Sequence, residues 1–192
     1  MRIRTLVPVL LAALALPGLA QDTYKIDPVH SQVGFKVRHF VSKVSGRFAK
    51  FEGHLTVDNL DISKSSVEVT IDAASINTDN ESRDKDLRSA NFFDVEKFPT
   101  ITFKSSAVKE VAKGKLEVAG TLTIRGVSKQ VTIPITNAGA REVRPGKWVA
   151  GFIDGALRIN RTEFGVKGAP AAVGEDVDIE LNVEAGKQAA AK

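Results

Sequence analysis

Apolar and polar residues alternate along most of this chain, and a period of two confines such segments to half-buried β-strands. Val33, Phe35, Val37 and His39 share one parity, with Gln32, Lys36 and Arg38 on the other. The same period recurs in Val67-Val69-Ile71, Ile101-Phe103, Leu116-Val118, Leu122-Ile124, Val131-Ile133-Ile135 and Val177-Ile179-Leu181-Val183. Turn-forming pairs separate these runs: Asp58-Asn59, Lys113-Gly114, Arg125-Gly126, Asn137-Ala138-Gly139 and Pro145-Gly146. Seven or eight strands on short turns predict antiparallel, up-and-down pairing in a sandwich or a barrel. From Trp148 to Ile159 both parities are apolar or small, which reads as a strand buried on both faces or bearing a cavity on one. Gly34, Gly46, Gly53, Gly120, Gly151 and Gly155 lie in or beside strands, where glycine permits the coiling that closes a barrel. One segment departs from the pattern. Thr78 to Asp94 is polar and rich in helix formers after a capping Asn80, and predicts a short helix over residues 81–89.

A barrel can face lipid or water. A lipid-facing one needs aromatic girdles at both interfaces; one Trp and one Tyr are too few. Lys, Glu, Gln, Thr and Asp between the apolar positions suit water, so the apolar side is expected to face inward. The first twenty residues stand apart. Arg2 and Arg4 precede an apolar run from Leu6 to Leu16, and Gly18-Leu19-Ala20 offers small residues for cleavage after Ala20. This predicts a signal peptide over residues 1–20, export to the periplasm and a single domain over residues 21–192. The run falls short of the roughly 20 residues of a membrane-spanning helix. Losing Arg2 and Arg4 takes the 27 Lys and Arg residues to 25, against 23 Asp and Glu. That balance argues against a nucleic-acid partner, whose footprint is a clustered basic excess. The chain has no cysteine, so its core must hold without disulfides, and thiolate metal sites and cysteine nucleophiles are excluded.

Five motifs, in order, give the chain a family likeness. They are Asp27-Pro28-Val29-His30-Ser31 running on to Phe35, Val37 and His39; Gly46-Arg47-Phe48 with Phe51-Glu52-Gly53; Arg83 to Ser89 followed by Phe92-Phe93-Asp94-Val95 and Pro99; Gly120 to Gly126; and Ile159-Asn160-Arg161 with Phe164-Gly165-Val166. Over nearly all of the expected mature chain the sequence resembles the YceI-like family of periplasmic polyisoprenoid-binding proteins. The resemblance implies an all-β, extended, eight-stranded antiparallel, lipocalin-like barrel. It further implies that a polyisoprenoid, quinone or other long-chain amphiphile lies inside, with no other cofactor. Asp86 stands where the family often carries histidine, so no role of that histidine transfers.

Such a barrel is near the size at which the interior either packs solid or holds one ligand. Gly34, Gly46, Gly120, Ala150 and Ala156 are the small residues expected to leave space inside. Phe35, Val37, His39, Phe48, Phe51, Phe92, Phe103, Leu122, Ile124 and Phe152 are the expected lining, with plain core packing the competing reading for each. Arg83 and Arg88, with Lys85, lie on the expected helix beside the paired phenylalanines, and either meet a polar head group or form a solvated face paired with Asp84 and Asp94. Asn160 and Arg161 read as a turn with structural hydrogen bonds.

Little in the sequence suits catalysis. His30 and His39 stand nine residues apart, about 30 Å in one extended strand, too far to share a metal ion. His54 reads as exposed. There is no G-x-S-x-G elbow, and Ser31 beside His30 is a neighbour in sequence, not part of a triad. Three readings remain: a periplasmic lipid carrier, an interaction module with a solid core, and an enzyme acting on a lipid head group near His39. Pairing of two chains is left open.

Overall fold

The alternating segments pair edge to edge until the sheet closes on itself. The computed structural model describes residues 21–189; the expected signal peptide at residues 1–20 lies outside them. Eleven strand segments follow one another: β1 (Gln21–Ile26), β2 (Gln32–His39), β3 (Ser42–Phe48), β4 (Phe51–Asp58), β5 (Ser66–Asp72), β6 (Ile76–Asn77), β7 (Thr100–Ala112), β8 (Lys115–Ile124), β9 (Val127–Arg144), β10 (Lys147–Asn160) and β11 (Val173–Lys187). One helix, α1 (Glu81–Arg88), lies between β6 and β7. Both β1 and β2 pair with β11, and they pair with β4 and β3 on their other edges. β5 and β6 continue along β4 and β3. The pieces β1/β2, β3/β4 and β5/β6 are therefore three long staves interrupted midway. With β7 to β11 they make eight staves, and the β1–β11 pairing closes an antiparallel barrel.

Local chemistry sets the connections. Arg125 and Gly126 join β8 to β9 at φ values of 50° and 74°, the geometry of a type I′ turn, whose twist matches the strands it joins. Arg125 occupies a position that favours Asn, and its guanidinium ties the turn to the Phe92 carbonyl and to Asp94 at 3.8 Å. Asn80 caps α1 as its sequence indicates, accepting from the Arg83 N–H at 2.9 Å.

Two expectations about the strands are corrected. Asn137-Ala138-Gly139 is not a turn but lies within β9, where the pairing with β10 slips by one residue. In β10 the pairing with β11 slips between Phe152 and Gly155, and Asp154 takes a φ of 57°. The extra residue flips every later side chain to the opposite face. Ala150 and Phe152 face inward before it; Gly155, Leu157 and Ile159 do so after it. The doubly apolar pattern of Trp148 to Ile159 is thus a bulged strand with one inner face. Trp148 and Ile153 are exposed, and so is Ala156, which does not open space inside.

The core is one continuous cluster from Tyr24 to Ala185. Buried Tyr24, Val108, Leu116 and Ala185 fill the end of the barrel where β1 starts. At the opposite end, beneath α1, the interior is built differently.

Candidate functional site

An apolar cavity of about 250 Å³ occupies the barrel. Inward strand residues supply its wall: Phe35 and Val37 from β2, Phe48 from β3, Phe51 from β4, Phe103 from β7, Leu122 and Ile124 from β8, and Phe152 from β10. Phe92, ahead of β7, lies on it too. These nine residues are expected lining positions that the structure brings together. Leu87 of α1, Phe92 and Phe93 approach it from one connection, and Arg161, Phe164 and Val166 from the β10–β11 connection. Phe48 links the β2 wall to the α1 connection, its ring 5.9 Å from Phe35 and 5.8 Å, edge-on, from Phe93.

The cavity is bounded by rings laid over glycines. A Cβ on Gly46 would stand 2.3 Å from Phe35 Cζ, and one on Gly120 would stand 2.6 Å from Phe103 Cζ. The space these glycines free is taken by the rings, so they do not hollow the barrel as their size suggests. They let a phenylalanine lie flat against the sheet, which is how an aromatic side chain covers a strand glycine. Only Gly34, of the two glycines on β2 and β3, borders the cavity itself.

Three expected site residues stand elsewhere. His39 is the last residue of β2, paired with Ser42 and with Val173, one rung beyond cavity-lining Val37. It sits on the rim and does not line the cavity. Arg83 is turned toward the β6–α1 connection, donating to Thr78 Oγ1 at 2.7 Å and to the Thr78 carbonyl at 2.8 Å. Arg88 donates to the carbonyls of Ala74 at 2.7 Å and Ile76 at 2.9 Å. Both guanidiniums hold α1 against the segment that precedes it, because its backbone carbonyls from Ala74 to Thr78 lie within reach and a charged donor satisfies them well. Neither of the expected carboxylate partners pairs with them. Asp84 is buried and accepts from the Thr78 N–H and hydroxyl, while Asp94 pairs with Arg125 and Lys97.

Arg161 is the charged residue nearest the cavity. It is buried, and its guanidinium donates to four carbonyls: Gly174, Val166, Gly168 and Val173, at 2.8–2.9 Å. The group lies 5.9 Å from the Phe92 ring centre. Burial draws its pKa below the ordinary arginine value, against the opposing field of Glu175. Asn160, next to it, accepts from the Thr162 N–H and starts the short 3₁₀ turn Arg161–Phe164. Arg161 therefore folds the β10–β11 connection over the barrel end with its nitrogens aimed at backbone. The cavity surface that remains is hydrocarbon.

The other histidines lie outside. His54 is exposed. His30 bonds Asp27 at 2.8 Å where β1 gives way to β2, and Glu184 stands close enough that the three offer ligand atoms within 4.8 Å of one another. Asp27 also accepts from the Val29 N–H, so this group serves the break in the stave. Asp27 raises the His30 pKa through its hydrogen bond and charge, and His30 lowers that of Asp27 in return.

A closed eight-stranded antiparallel barrel around an apolar cavity defines a class built to enclose a ligand rather than to pack solid. Within that class, the YceI-like domain matches residues 24–185, and this chain belongs to that family. A UPF0312 protein of Vibrio cholerae is 39% identical over 186 residues, covering 94% of this chain and 97% of its own. A UPF0312 protein of Pseudomonas aeruginosa is 37% identical over 190 residues, covering 93% and 97%. Among solved structures, BcnA of Burkholderia cenocepacia superposes with a TM-score of 0.75 at 28% identity, covering 83% of this chain and 98% of its own. The YCEI protein of Campylobacter jejuni does so at 0.72 and 26%, covering 96% and 100%. A polyisoprenoid-binding domain from Saccharophagus degradans has the same fold, with a TM-score of 0.65 at 14% identity.

Proposed function

We propose that this protein is a periplasmic binding protein or carrier that holds the chain of an isoprenoid lipid, of quinone or polyprenyl phosphate type, inside the barrel. The observation that carries the reading is the hydrocarbon lining of the cavity, with the buried Arg161 beside it satisfied by backbone. An apolar cavity of about 150 Å³ already suffices to stay dry and take a small hydrocarbon. Each methylene buried there contributes about 0.8 kcal/mol, so affinity needs no polar contact in the interior. The polar head would then remain at the barrel end near the His39 rim. A YceI-like domain and the shared fold of a neighbour whose name states polyisoprenoid binding support the same choice of ligand. The cavity disfavours a solid-core interaction module. Nothing in its lining offers a nucleophile or base, which favours binding over catalysis.

The test is extraction of the protein, purified from its native source, with organic solvent, followed by mass spectrometry of the extract. A prenyl lipid in roughly stoichiometric amount is expected. Protein that carries no lipid and takes up none on incubation would overturn the reading.

A further inference from the structure

The cavity stops one layer of side chains short of the barrel end where β1 starts. Tyr24, Val108, Leu116, Ala150 and Ala185 are all buried, and none of them lines the cavity. Each stands next to a residue that does. Tyr24 pairs with Leu55, Val108 with Val118 and Leu116 with Ile135. Ala150 lies two residues before Phe152 on β10, and Ala185 two residues after Val183 on β11. The five make a floor. Ala150 and Ala185 are direct cross-strand partners, so two of its members are too small to close it. Ala185 is nevertheless wholly buried. Tyr24 stands diagonal to it, since Ile26 pairs with Ala185 and Tyr24 with Lys187. A diagonal neighbour on a sheet face is within reach of an aromatic side chain. Tyr24 is the only tyrosine in the chain and the one ring in this layer.

The space above the floor is short. An apolar cavity of about 150 Å³ takes one benzene, so in proportion about 250 Å³ takes about ten carbon atoms. Length gives the same answer. On β8 the lining runs from Val118 to Ile124, which is about 15 Å along the axis of a barrel whose strands tilt by about 40°. At about 1.5 Å for each carbon–carbon bond, that distance holds about ten bonds. Volume and depth therefore agree on a chain of about two isoprene units, and a longer one meets Tyr24 before it is fully inside.

We infer that the barrel measures chain length: it encloses about ten terminal carbons of a prenyl chain, and Tyr24 sets the stop. The inference rests on the lipid-binding reading above and adds which part of the ligand is recognised. Further isoprene units remain outside with the head group and contribute no buried surface.

The experiment is calorimetric titration with dimethylallyl, geranyl, farnesyl and geranylgeranyl monophosphate, each longer than the last by one isoprene unit. For the wild-type protein, affinity is expected to rise on the order of 100-fold or more from dimethylallyl to geranyl and then to level off. Tyr24→Ala removes a ring from the floor, which is room for about one further unit, and should move the levelling point to farnesyl. Val118→Phe adds a ring on the cavity side of the floor and should move it to dimethylallyl. Because it fills open space, this second variant is expected to fold even where Tyr24→Ala does not; thermal melting checks both. Wild-type affinity that keeps rising by the same factor through geranylgeranyl overturns the length limit and leaves the lipid-binding reading standing. A folded Tyr24→Ala protein that still levels off at geranyl overturns Tyr24 as the stop, and an unmoved point in Val118→Phe overturns the floor altogether. No uptake of any of the four by the wild type overturns the lipid-binding reading, and this inference falls with it.

Discussion

Replacing Gly46 by alanine tests how the cavity wall is built. The added methyl would lie 2.3 Å from Phe35 Cζ, 2.8 Å from Phe35 Cε1 and 2.8 Å from Thr78 Cγ2. Side-chain carbons do not approach so closely, so the Phe35 ring must leave the sheet, and the open direction is the cavity it lines. Overpacking of this kind costs about 1–3 kcal/mol, while Gly→Ala in a strand returns about 0.5–1 kcal/mol of backbone entropy. The net expectation is a loss of about 1–2 kcal/mol, or several degrees in Tm at about 2–4 °C per kcal/mol for a domain of this size. Gly34→Ala is the control: its nearest atom, at 3.1 Å, is the amide nitrogen at the far end of the exposed Gln32 side chain, and stability should change little. In a double-mutant cycle, Phe35→Leu should relieve the ring's share of the clash, giving a coupling of at least about 0.5 kcal/mol. Urea denaturation of the four proteins of the cycle and of Gly34→Ala provides the numbers. Equal stability of the two glycine variants, or a coupling of zero, would refute the account of Gly46 as a seat for Phe35.

Two further outcomes follow from the polar groups. Arg161→Met should cost about 3 kcal/mol or more in denaturant unfolding, because four carbonyls lose a charged donor; Arg161→Lys should not restore it, since an ammonium cannot span that fork. For the Asp27–His30 pair the sign follows from the two shifts. His30 is raised, so its contribution is present below the unfolded histidine value and lost as pH rises through the folded one; Asp27 is lowered, so its contribution is lost on acidification. NMR titration should place the His30 pKa above the ordinary histidine value in the wild type and lower in Asp27→Asn; an unchanged value would show that the pair does not persist in solution.

Much of this was legible in the residues. Alternation at Val33-Phe35-Val37 and Val177 to Val183 marks strands because one face of each is dry, and Arg125-Gly126 and Pro145-Gly146 mark hairpins. Asn80 marks the start of α1 through a bond within three residues. What failed to show depends on contacts distant in sequence. A bulge at Ile153-Asp154 changes the parity of β10 without any compositional sign, so Ala156 read as inward. Gly46 and Gly120 read as empty space because the rings above them come from β2 and β7. Arg83 and Arg88 lie beside Phe92 and Phe93 in sequence, yet carbonyls of Ala74, Ile76 and Thr78 hold them away from the cavity. The buried position of Arg161 beneath its own connection had no local signal beyond the Asn160 turn. Phe40-Val41 carries no turn residue at all, and only the paired strands reveal it as an apex.

The central claim is that the ligand's chain lies among the inward side chains of the barrel. Methyl NMR during titration with a prenyl alcohol tests it most directly. Shifts are predicted at Val37, Leu122, Ile124 and Val177, which line the cavity, with outward Val143 and Ile153 unmoved. Shifts confined to the outward methyls, or none at saturating ligand, would contradict it.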